Sequence, residues 1–223
     1  MTSTVTIVGA RGGSGTSTIA ATLALHTADD VPTALLTHDP TAMARLLGTT
    51  GPTPPGSEPF AVGPTLTVAG LDGPTDTVTI IDAGPAEHAT AHLPVDGVRY
   101  AVVRGPCYLA LATLVSLPSL RPDGVILVGE PGRSLSAVDV SAVLGVPVVA
   151  TVPVRPSIAR LIDAGLLAGR PHEIPGLDSL RDALVHGVEP TTAAADRHPQ
   201  RPRGAISRPG PGRSPGTSWE HDQ

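Results

Sequence analysis

The sequence predicts an α/β fold of three layers, in which a mostly parallel sheet is flanked by helices. Short runs of apolar and β-branched residues alternate with segments of helical periodicity over most of the chain. Several runs are apolar almost throughout, as expected of strands that are buried on both faces of a sheet. This alternation favours a parallel sheet, because consecutive parallel strands are joined by helical crossovers.

Each predicted element rests on one of these two patterns. The strands are, in chain order, 4–8 (TVTIV), 33–37 (TALLT), 65–69 (TLTVA), 77–81 (TVTII), 99–103 (RYAVV), 124–128 (GVILV) and 146–150 (VPVVA). The helices are expected at about 16–27, 40–47, 107–117, 136–144, 155–167 and 177–187. In the last helix, Leu177, Leu180 and Leu184 share one face, which predicts packing on the core. The Pro- and Gly-rich segment 51–64 is predicted as a surface loop.

A change of composition near residue 189 predicts a boundary between a folded domain and a tail. Beyond it, Ile206 and Trp219 are the only large apolar residues, and arginines are interleaved with Pro and Gly. Such a segment cannot bury enough surface to offset the entropy of ordering it. We therefore expect one domain over residues 1–188 and a disordered tail over 189–223, which is either a solvated tail or a docking arm.

Composition narrows the function classes. The net charge of −5 and the pI of about 5.8 argue against a basic nucleic-acid surface, and all 15 basic residues are arginine. The single cysteine, Cys107, excludes an internal disulfide framework and fits a reducing cytosol. We expect it to be a buried small apolar residue rather than a nucleophile. No signal peptide and no apolar run of about 20 residues is present, so we expect a soluble, cytoplasmic protein without a membrane span.

The glycine-rich stretch 8–18 (VGARGGSGTST) lies between the first predicted strand and the first predicted helix. A turn in that position aims consecutive backbone N–H groups at one point, where the helix N-terminus adds partial positive charge. Gly12, Gly13 and Gly15 permit close approach of the backbone and positive φ angles. The hydroxyl of Ser17 would face a phosphate-bound Mg²⁺. The stretch therefore indicates a phosphate-binding loop.

Two other interpretations of this loop remain open from the loop alone. The strict pattern GxxxxGK[ST] fails at Ala10 and Thr16, so a turn without a ligand is one alternative. The other is a dinucleotide-binding fold, because Gly13-x-Gly15 follows a strand and Asp39 ends the next strand, near where a ribose-binding acid belongs. The third glycine of that fingerprint is absent, since position 18 is Thr.

An ordered set of motifs resembles the MinD/ParA family of ATPases. The segments that carry the resemblance are 11–18 (RGGSGTST), like the deviant Walker A pattern KGGxGKTT; 35–40 (LLTHDP), like IDxDP; 78–85 (VTIIDAGP), like Walker B and its switch; 102–106 (VVRGP), like a strand ending in a Pro-containing turn; and 136–165, like the closing helix, strand and adenine-side loop. The resemblance spans about residues 3–172. It accounts for the motif at Asp82, which a dinucleotide-binding fold does not predict.

The resemblance implies a P-loop domain that binds ATP and Mg²⁺ and acts as a homodimer on DNA, membranes or a partner protein. The nucleotide would be held by Arg11, Gly12, Gly13, Ser14, Gly15, Thr16, Ser17, Thr18 and Gly84. Ser17 would bind Mg²⁺ directly and Asp82 through water. Asp39 would orient the attacking water, Gly84 would sense the γ-phosphate, and Arg11 would stand at the lysine that reaches across the dimer.

The sequence departs from the family pattern at positions that contact nucleotide. Ala10 replaces the first loop glycine, Thr16 the lysine that neutralises the phosphates, and Thr37 the first acid of IDxDP. Gly129 or Glu130 stands where asparagine often contacts adenine, and Val154-Arg155 where acidic residues often follow. The pattern predicts nucleotide binding with weak or absent hydrolysis. It is similar to the erosion in TadZ-type members tied to pilus localisation.

Two functions from different classes follow. The first is a nucleotide switch that dimerises with ATP and hydrolyses it slowly, and the second is a non-catalytic scaffold that positions an unidentified protein partner. The chain ends in a Pro-, Arg- and Gly-rich segment rather than a basic amphipathic helix, so no membrane anchor is expected.

The remaining candidates carry weaker signals. His88 and His92 lie four apart and could share a metal, although no third ligand is evident. His38 beside Asp39 is expected to point to the opposite face, as neighbours on a strand do.

Overall fold

A computed structural model describes residues 3–49, 58–89 and 97–187 of the chain. The strands are β1 (Ser3–Gly9), β2 (Thr33–Thr37), β3 (Phe60–Val62), β4 (Leu66–Ala69), β5 (Val78–Pro85), β6 (Val98–Arg104), β7 (Gly124–Gly129) and β8 (Val148–Pro153). The α-helices are α1 (Thr16–Ala28), α2 (Pro40–Leu47), α3 (Ala86–Ala89), α4 (Tyr108–Ser116), α5 (Ala137–Leu144), α6 (Pro156–Asp163) and α7 (Asp178–His186). Short 3₁₀ turns occupy Pro118–Leu120 and Pro171–Glu173.

The strands form one sheet in the order β3-β4-β2-β5-β1-β6-β7-β8. Every pairing is parallel except that of β3 with β4. The predicted α/β fold with a mostly parallel sheet is therefore confirmed. The order also rules out the dinucleotide-binding alternative, in which β1 pairs with β2. Here β1 pairs with β5 and β6, and β2 lies beyond β5.

The sequence prediction was wrong at the far edge of the sheet. Segment 51–64 was expected to be loop throughout, and its residues 51–57 lie outside the described residues. Phe60–Val62, however, forms β3 and pairs antiparallel with β4 across a turn at Gly63, whose φ is +74°. The flanking prolines and glycines obscured a three-residue apolar run. The short helix α3 was likewise not predicted.

Helices cover both faces of the sheet and give the predicted three layers. On one face, α1, α2, α6 and α7 bury a core that includes Ile19, Leu23, Met43, Leu47, Leu161 and Leu180. On the other face, α3, α4 and α5 bury Ala86, Leu111, Leu114 and Val140 against β1, β6 and β7. The predicted docking of the last helix is confirmed, since Leu177 and Leu180 are fully buried and Leu184 packs against the same core.

The centre of the sheet positions the candidate site. Strand β1 lies between β5 and β6, so the chain extends the sheet from there in both directions. Parallel sheets bind ligands at the carboxyl ends of their strands, at the point where this direction changes. The loop after β1 lies at that point. The predicted tail, 189–223, lies outside the described residues.

Candidate functional site

The loop from Ala10 to Gly15 joins β1 to the N-terminus of α1. Gly13 and Gly15 have φ angles of +75° and +87°, which favour glycine because a Cβ is strained there. Gly15 is the N-cap of α1, no side chain caps this end, and the first turn contains no acidic residue. The amide groups of this turn are therefore not neutralised by the protein, and they form a ready site for an anion.

Internal hydrogen bonds fix the shape of the loop. The Ser14 hydroxyl donates to the Arg11 carbonyl at 2.6 Å, and the Arg11 N–H donates to Ser14 Oγ at 3.2 Å. The Ala10 N–H donates to the Val102 carbonyl of β6 at 2.9 Å, so the loop starts attached to the neighbouring strand. Ser14 is buried and shapes the loop, whereas the Arg11 side chain is exposed.

Thr16 stands where the resemblance places lysine, and it points to the base of the loop. The side chain is buried, with 6% of its surface exposed. A Cβ added to Gly9 would overlap the Thr16 hydroxyl, so this side chain fills the space above the end of β1. This side chain, which is neutral, is therefore directed to the base of the loop and does not extend over it.

The carboxylate of Asp82 is buried at the end of β5, with 3% of the residue exposed. It accepts hydrogen bonds from the Gly84 N–H at 3.1 Å and from the Thr37 hydroxyl at 3.4 Å. Among the described residues it takes part in no ion pair. A buried carboxylate that accepts from two neutral donors still has lone pairs for a cation or its water ligands.

Gly84 bends β5 beside this carboxylate. Its φ of +68° is left-handed, and the register between β1 and β5 shifts at this point, from Ile7 opposite Asp82 to Gly9 opposite Pro85. Such a bulge re-aims the backbone that follows. It turns the Gly84 N–H towards Asp82 and places Gly84 beside the glycine-rich loop.

Asp39 is the N-cap of α2. Its carboxylate accepts the Ala42 N–H at 2.8 Å, and Pro40 follows in the first helical turn. This bond gives Asp39 a structural reason to be present, whatever its chemistry. His38 lines the same cavity as Asp39, contrary to expectation, because β2 ends at Thr37 and strand alternation stops there.

Three neighbouring cavities form a groove along this edge of the sheet. One of about 400 Å³ is lined by residues that include Ser17, Thr37, Asp39, Asp82 and Gly84. One of about 230 Å³ lies over the loop and is lined by Arg11, Gly12, Gly13, Ser14, Gly15, Thr16, Ser17, Thr18, Gly84 and Pro85. One of about 170 Å³ lies beyond the loop and is mainly apolar, with Val128, Pro153, Ile158 and Ile174 in its walls. The structure thus brings all the predicted site residues to one groove.

Sequence reasoning missed Arg104, the last residue of β6. Its Nε donates to Glu130 at 2.8 Å, and its Nη1 lies 3.5 Å from the Gly13 carbonyl of the loop. Arg133 binds the same carboxylate. Hydrogen bonds from Arg133 and then from Arg104 hold the pKa of Glu130 below its ordinary value. The only signal in the sequence was the position of Arg104 at a strand end.

The weaker candidates gain little from the structure. His88 lies in α3, His92 lies outside the described residues, and no cluster of three His, Cys, Asp or Glu occurs in the described part of the chain. Cys107 is half-buried at the N-cap of α4, and so less buried than expected. In residues 3–49, 58–89 and 97–187, no helix combines the length and the apolar character needed to cross a bilayer.

Comparison with known proteins identifies the fold. No family model and no curated protein matches the sequence. Among solved structures, the septum site-determining protein MinD of Pyrococcus horikoshii, complexed with Mg-ADP, is similar at a TM-score of 0.66 and 17% identity, over 85% of this chain and 96% of that chain. The MinC:MinD cell division protein complex of Aquifex aeolicus gives 0.66 and 14%, over 86% and 99%. A ParA family ATPase from Chlorobium tepidum gives 0.57 and 13%, over 84% and 99%.

At these identities the likeness is one of fold. The chain has the three-layer fold of MinD- and ParA-type P-loop proteins over nearly the whole length of those structures. This agrees with the fold class that the ordered motifs implied.

Proposed function

We propose that this chain is a MinD/ParA-like nucleotide-binding protein that binds ATP with Mg²⁺ and hydrolyses it slowly or not at all. The observation that carries the proposal is the pairing of two features in one groove. One is the uncapped N-terminus of α1 beneath a glycine loop, and the other is the buried carboxylate of Asp82, which forms no ion pair with any residue that the structure describes. The first suits phosphate, and the second suits its counter-cation.

The residues present fit a Mg-nucleotide. Backbone amides from Gly12 to Ser17 would hold the phosphates, and the exposed Ser17 hydroxyl would bind the metal. Asp82 would hold the metal's water ligands, and Gly84 would face the terminal phosphate. Bound Mg²⁺ would neutralise phosphate charge that the loop itself no longer neutralises. The solved relative from Pyrococcus horikoshii is complexed with Mg-ADP, which supports the same ligand here.

The neutral side chain at position 16 and the helix-capping bond of Asp39 both support weak hydrolysis. Losing a charge-assisted hydrogen bond at position 16 costs roughly 1.5–3 kcal/mol of binding, or about 10- to 100-fold in affinity. The transition state loses more, because phosphoryl transfer depends on positioned charge. Asp39, proposed to orient the attacking water, already uses one carboxylate oxygen as a helix cap.

The cellular role we propose is that of a dimerising switch or positioning factor in the cytoplasm, for partition, septum placement or localisation of a secretion system or pilus. One structural relative is a MinC:MinD complex, which supports a protein partner. Arg11 is exposed on the loop and would reach the second copy, where its planar guanidinium can bind phosphate bidentately. The domain proper would be residues 1–188.

A scaffold that binds no nucleotide is the second candidate. The buried Thr16 side chain favours it, because the loop has filled its base with a neutral group. Self-association separates the two candidates. The switch should dimerise only with Mg-ATP, whereas the scaffold should have the same mass in light scattering with and without it.

The deciding experiment is calorimetric titration of the full chain with Mg-ATP and Mg-ADP, with Thr16→Lys and Ser17→Ala variants alongside. Micromolar binding by the unmodified chain, weakened in Ser17→Ala, is the expected result. Binding by Thr16→Lys alone would indicate an intact loop that has lost its function and would favour the scaffold. Absence of binding by both would contradict the proposal.

A further inference from the structure

The loop that we propose binds phosphate contains no lysine, and neither does the rest of the chain. We propose that the guanidinium of Arg104, projecting from the adjacent strand β6, supplies the missing cation to the nucleotide phosphates. The inference rests on the proposed function and names a binding residue to which the sequence motifs assign no role.

Sheet register places Arg104 at the level of the loop. Strand β6 pairs directly with β1, with Val102 opposite Gly9, and the Val102 carbonyl accepts the Ala10 N–H at 2.9 Å. Arg104 lies two residues beyond Val102, so its side chain is on the same face of the sheet as that of Val102, at the end of the strands where the loop departs from β1. Its Nη1 lies 3.5 Å from the Gly13 carbonyl, and the residue lines the cavity of about 170 Å³ beyond the loop, together with Ser14 and Gly15.

The contact with Gly13 is one that a phosphate can replace. A separation of 3.5 Å is at the long limit for a hydrogen bond to a neutral carbonyl. A phosphate oxygen accepts from arginine at shorter range and more strongly. The side chain is also half exposed, at 47%, so there is open space in which it can turn from Glu130 towards a ligand above the loop.

The neighbouring charges allow this turn without leaving an unpaired acid. Glu130 is shared by Arg104 and Arg133, and a Cβ on Gly105 would overlap the Glu130 carboxylate and the Arg133 guanidinium, so the glycine leaves room for these two side chains. If Arg104 moved to a phosphate, Arg133 would still neutralise Glu130. Arg11 and Arg155, which line the groove within the described part of the chain, are placed differently. The Arg11 side chain is exposed on the loop, and Arg155 is the N-cap of α6 beside apolar walls.

The test compares Arg104→Gln and Arg104→Lys with Arg99→Gln in titrations of the full chain with Mg-ATP, at low and high salt. Arg99 is a matched control, because it lies on the same strand near its amino end, whereas Arg104 lies at its carboxyl end beside the loop. Arg104→Gln should weaken binding about 10- to 100-fold and reduce its salt dependence. Arg104→Lys should retain most of the affinity, and Arg99→Gln should match the unmodified chain. Thermal unfolding verifies that each variant is folded.

A double-mutant cycle provides a second readout. If Arg104 stands in for the lysine, Thr16→Lys should raise affinity more in the Arg104→Gln background than in the unmodified chain. Strong binding by the unmodified chain that Arg104→Gln leaves unchanged would overturn this inference while leaving the proposed function intact. Absence of binding by the unmodified chain and by Thr16→Lys would overturn both.

Discussion

Two threonines stand where the family resemblance places charged residues, and the two losses of charge cancel. Thr16 replaces a lysine and Thr37 an acid, so the groove loses one positive and one negative charge. The Thr37 side chain forms hydrogen bonds within the groove. Its hydroxyl donates to Asp82 and accepts the Asp39 N–H at 3.3 Å, which links the ends of β2 and β5. Taken together, these two replacements leave the net charge unchanged, which supports the proposed nucleotide binding better than loss of the cation alone would.

Placing an acid at position 37 should therefore make the stability of the protein depend on a bound metal ion. In Thr37→Asp, a second buried carboxylate would lie beside Asp82, and two such groups cannot both ionise cheaply. For each unit by which folding raises the pKa of the introduced carboxyl, the free energy of unfolding falls by about 1.4 kcal/mol at neutral pH. We therefore expect this free energy to fall by roughly 1–4 kcal/mol without metal. The raised pKa makes this loss small at pH values below the unfolded pKa, and it grows as the pH rises through that value.

Chemical denaturation at pH 5 and pH 7.5, with and without millimolar Mg²⁺, measures this effect. Thr37→Asn is the matched control, because the asparagine side chain has nearly the same shape as that of aspartate and carries no charge. Mg²⁺ should restore much of the stability of the Asp variant only. Equal stability of the two variants at pH 7.5 without metal would contradict the placement of Asp82 as a buried acid.

At this scale the sequence predicted the loop and Asp82 but not the contacts between them. Glycine spacing and an acid at a strand end are visible in one dimension. The bonds of Thr37 to Asp82 and of Arg104 to Gly13 join residues 45 and 91 positions apart. They depend on which strands are neighbours, and no local pattern encodes that order.

Among the elements, α2 ends against the turn that follows α6. Gly48 is the C-cap of α2 with a φ of +71°, and a Cβ there would overlap the backbone carbonyl of Gly165. This close approach fixes the C-terminal end of α2, whose N-cap is Asp39, against the turn after α6 in the same layer. Backbone contact of this kind needs glycine for space as well as for conformation.

Gly48→Ala should consequently destabilise the protein by more than the left-handed backbone strain that an alanine causes at any helix C-cap. Gly145 is the matched control, since it caps α5 with a φ of +70° and its Cβ would meet nothing within 4 Å. We expect Gly145→Ala to cost about 1–2 kcal/mol from left-handed strain. Gly48→Ala should cost at least 2 kcal/mol more, because two backbones must separate. Urea denaturation measures both, and equal losses would show that the contact is unimportant.

Element prediction succeeded where a run was regular and failed where a strand was irregular or short. Strand β2 and helix α2 were predicted with the observed bounds, 33–37 and 40–47. Strand β5 was expected to end at 81 and instead continues to Pro85, through the bulge at Gly84. A glycine in a strand reads as a terminator, and only pairing with β1 shows that the ladder resumes beyond it.

For the whole molecule, the buried face of α7 sets where the domain can end. Arg181 of this helix pairs with Asp30 after α1, which adds a polar contact to the burial of Leu177 and Leu180. A chain ending at residue 188 should unfold cooperatively with a Tm within about 2 °C of the full chain, because the tail composition predicts no core contact.

A chain ending at 176 is the control. It removes α7 and its buried leucines, and each such side chain contributes about 1.5–3 kcal/mol. We expect it to lose its cooperative transition or to unfold at a much lower temperature in calorimetry. A large loss of stability on removing only 189–223 would show that the tail packs on the domain.

The central position of β1 also governs the order in which the protein can assemble during synthesis. Ser3 pairs with Val78 and Val5 with Val98, so β1 is synthesised well before the two strands with which it pairs. At a synthesis rate of about 5–20 residues per second, that delay lasts several seconds. Helix α1 is buried along nearly its whole length in the finished fold, so during this interval it lacks the strands against which it packs. We expect nascent chains that end before β6 to be bound by chaperones, and release to coincide with completion of the strand that carries Arg104.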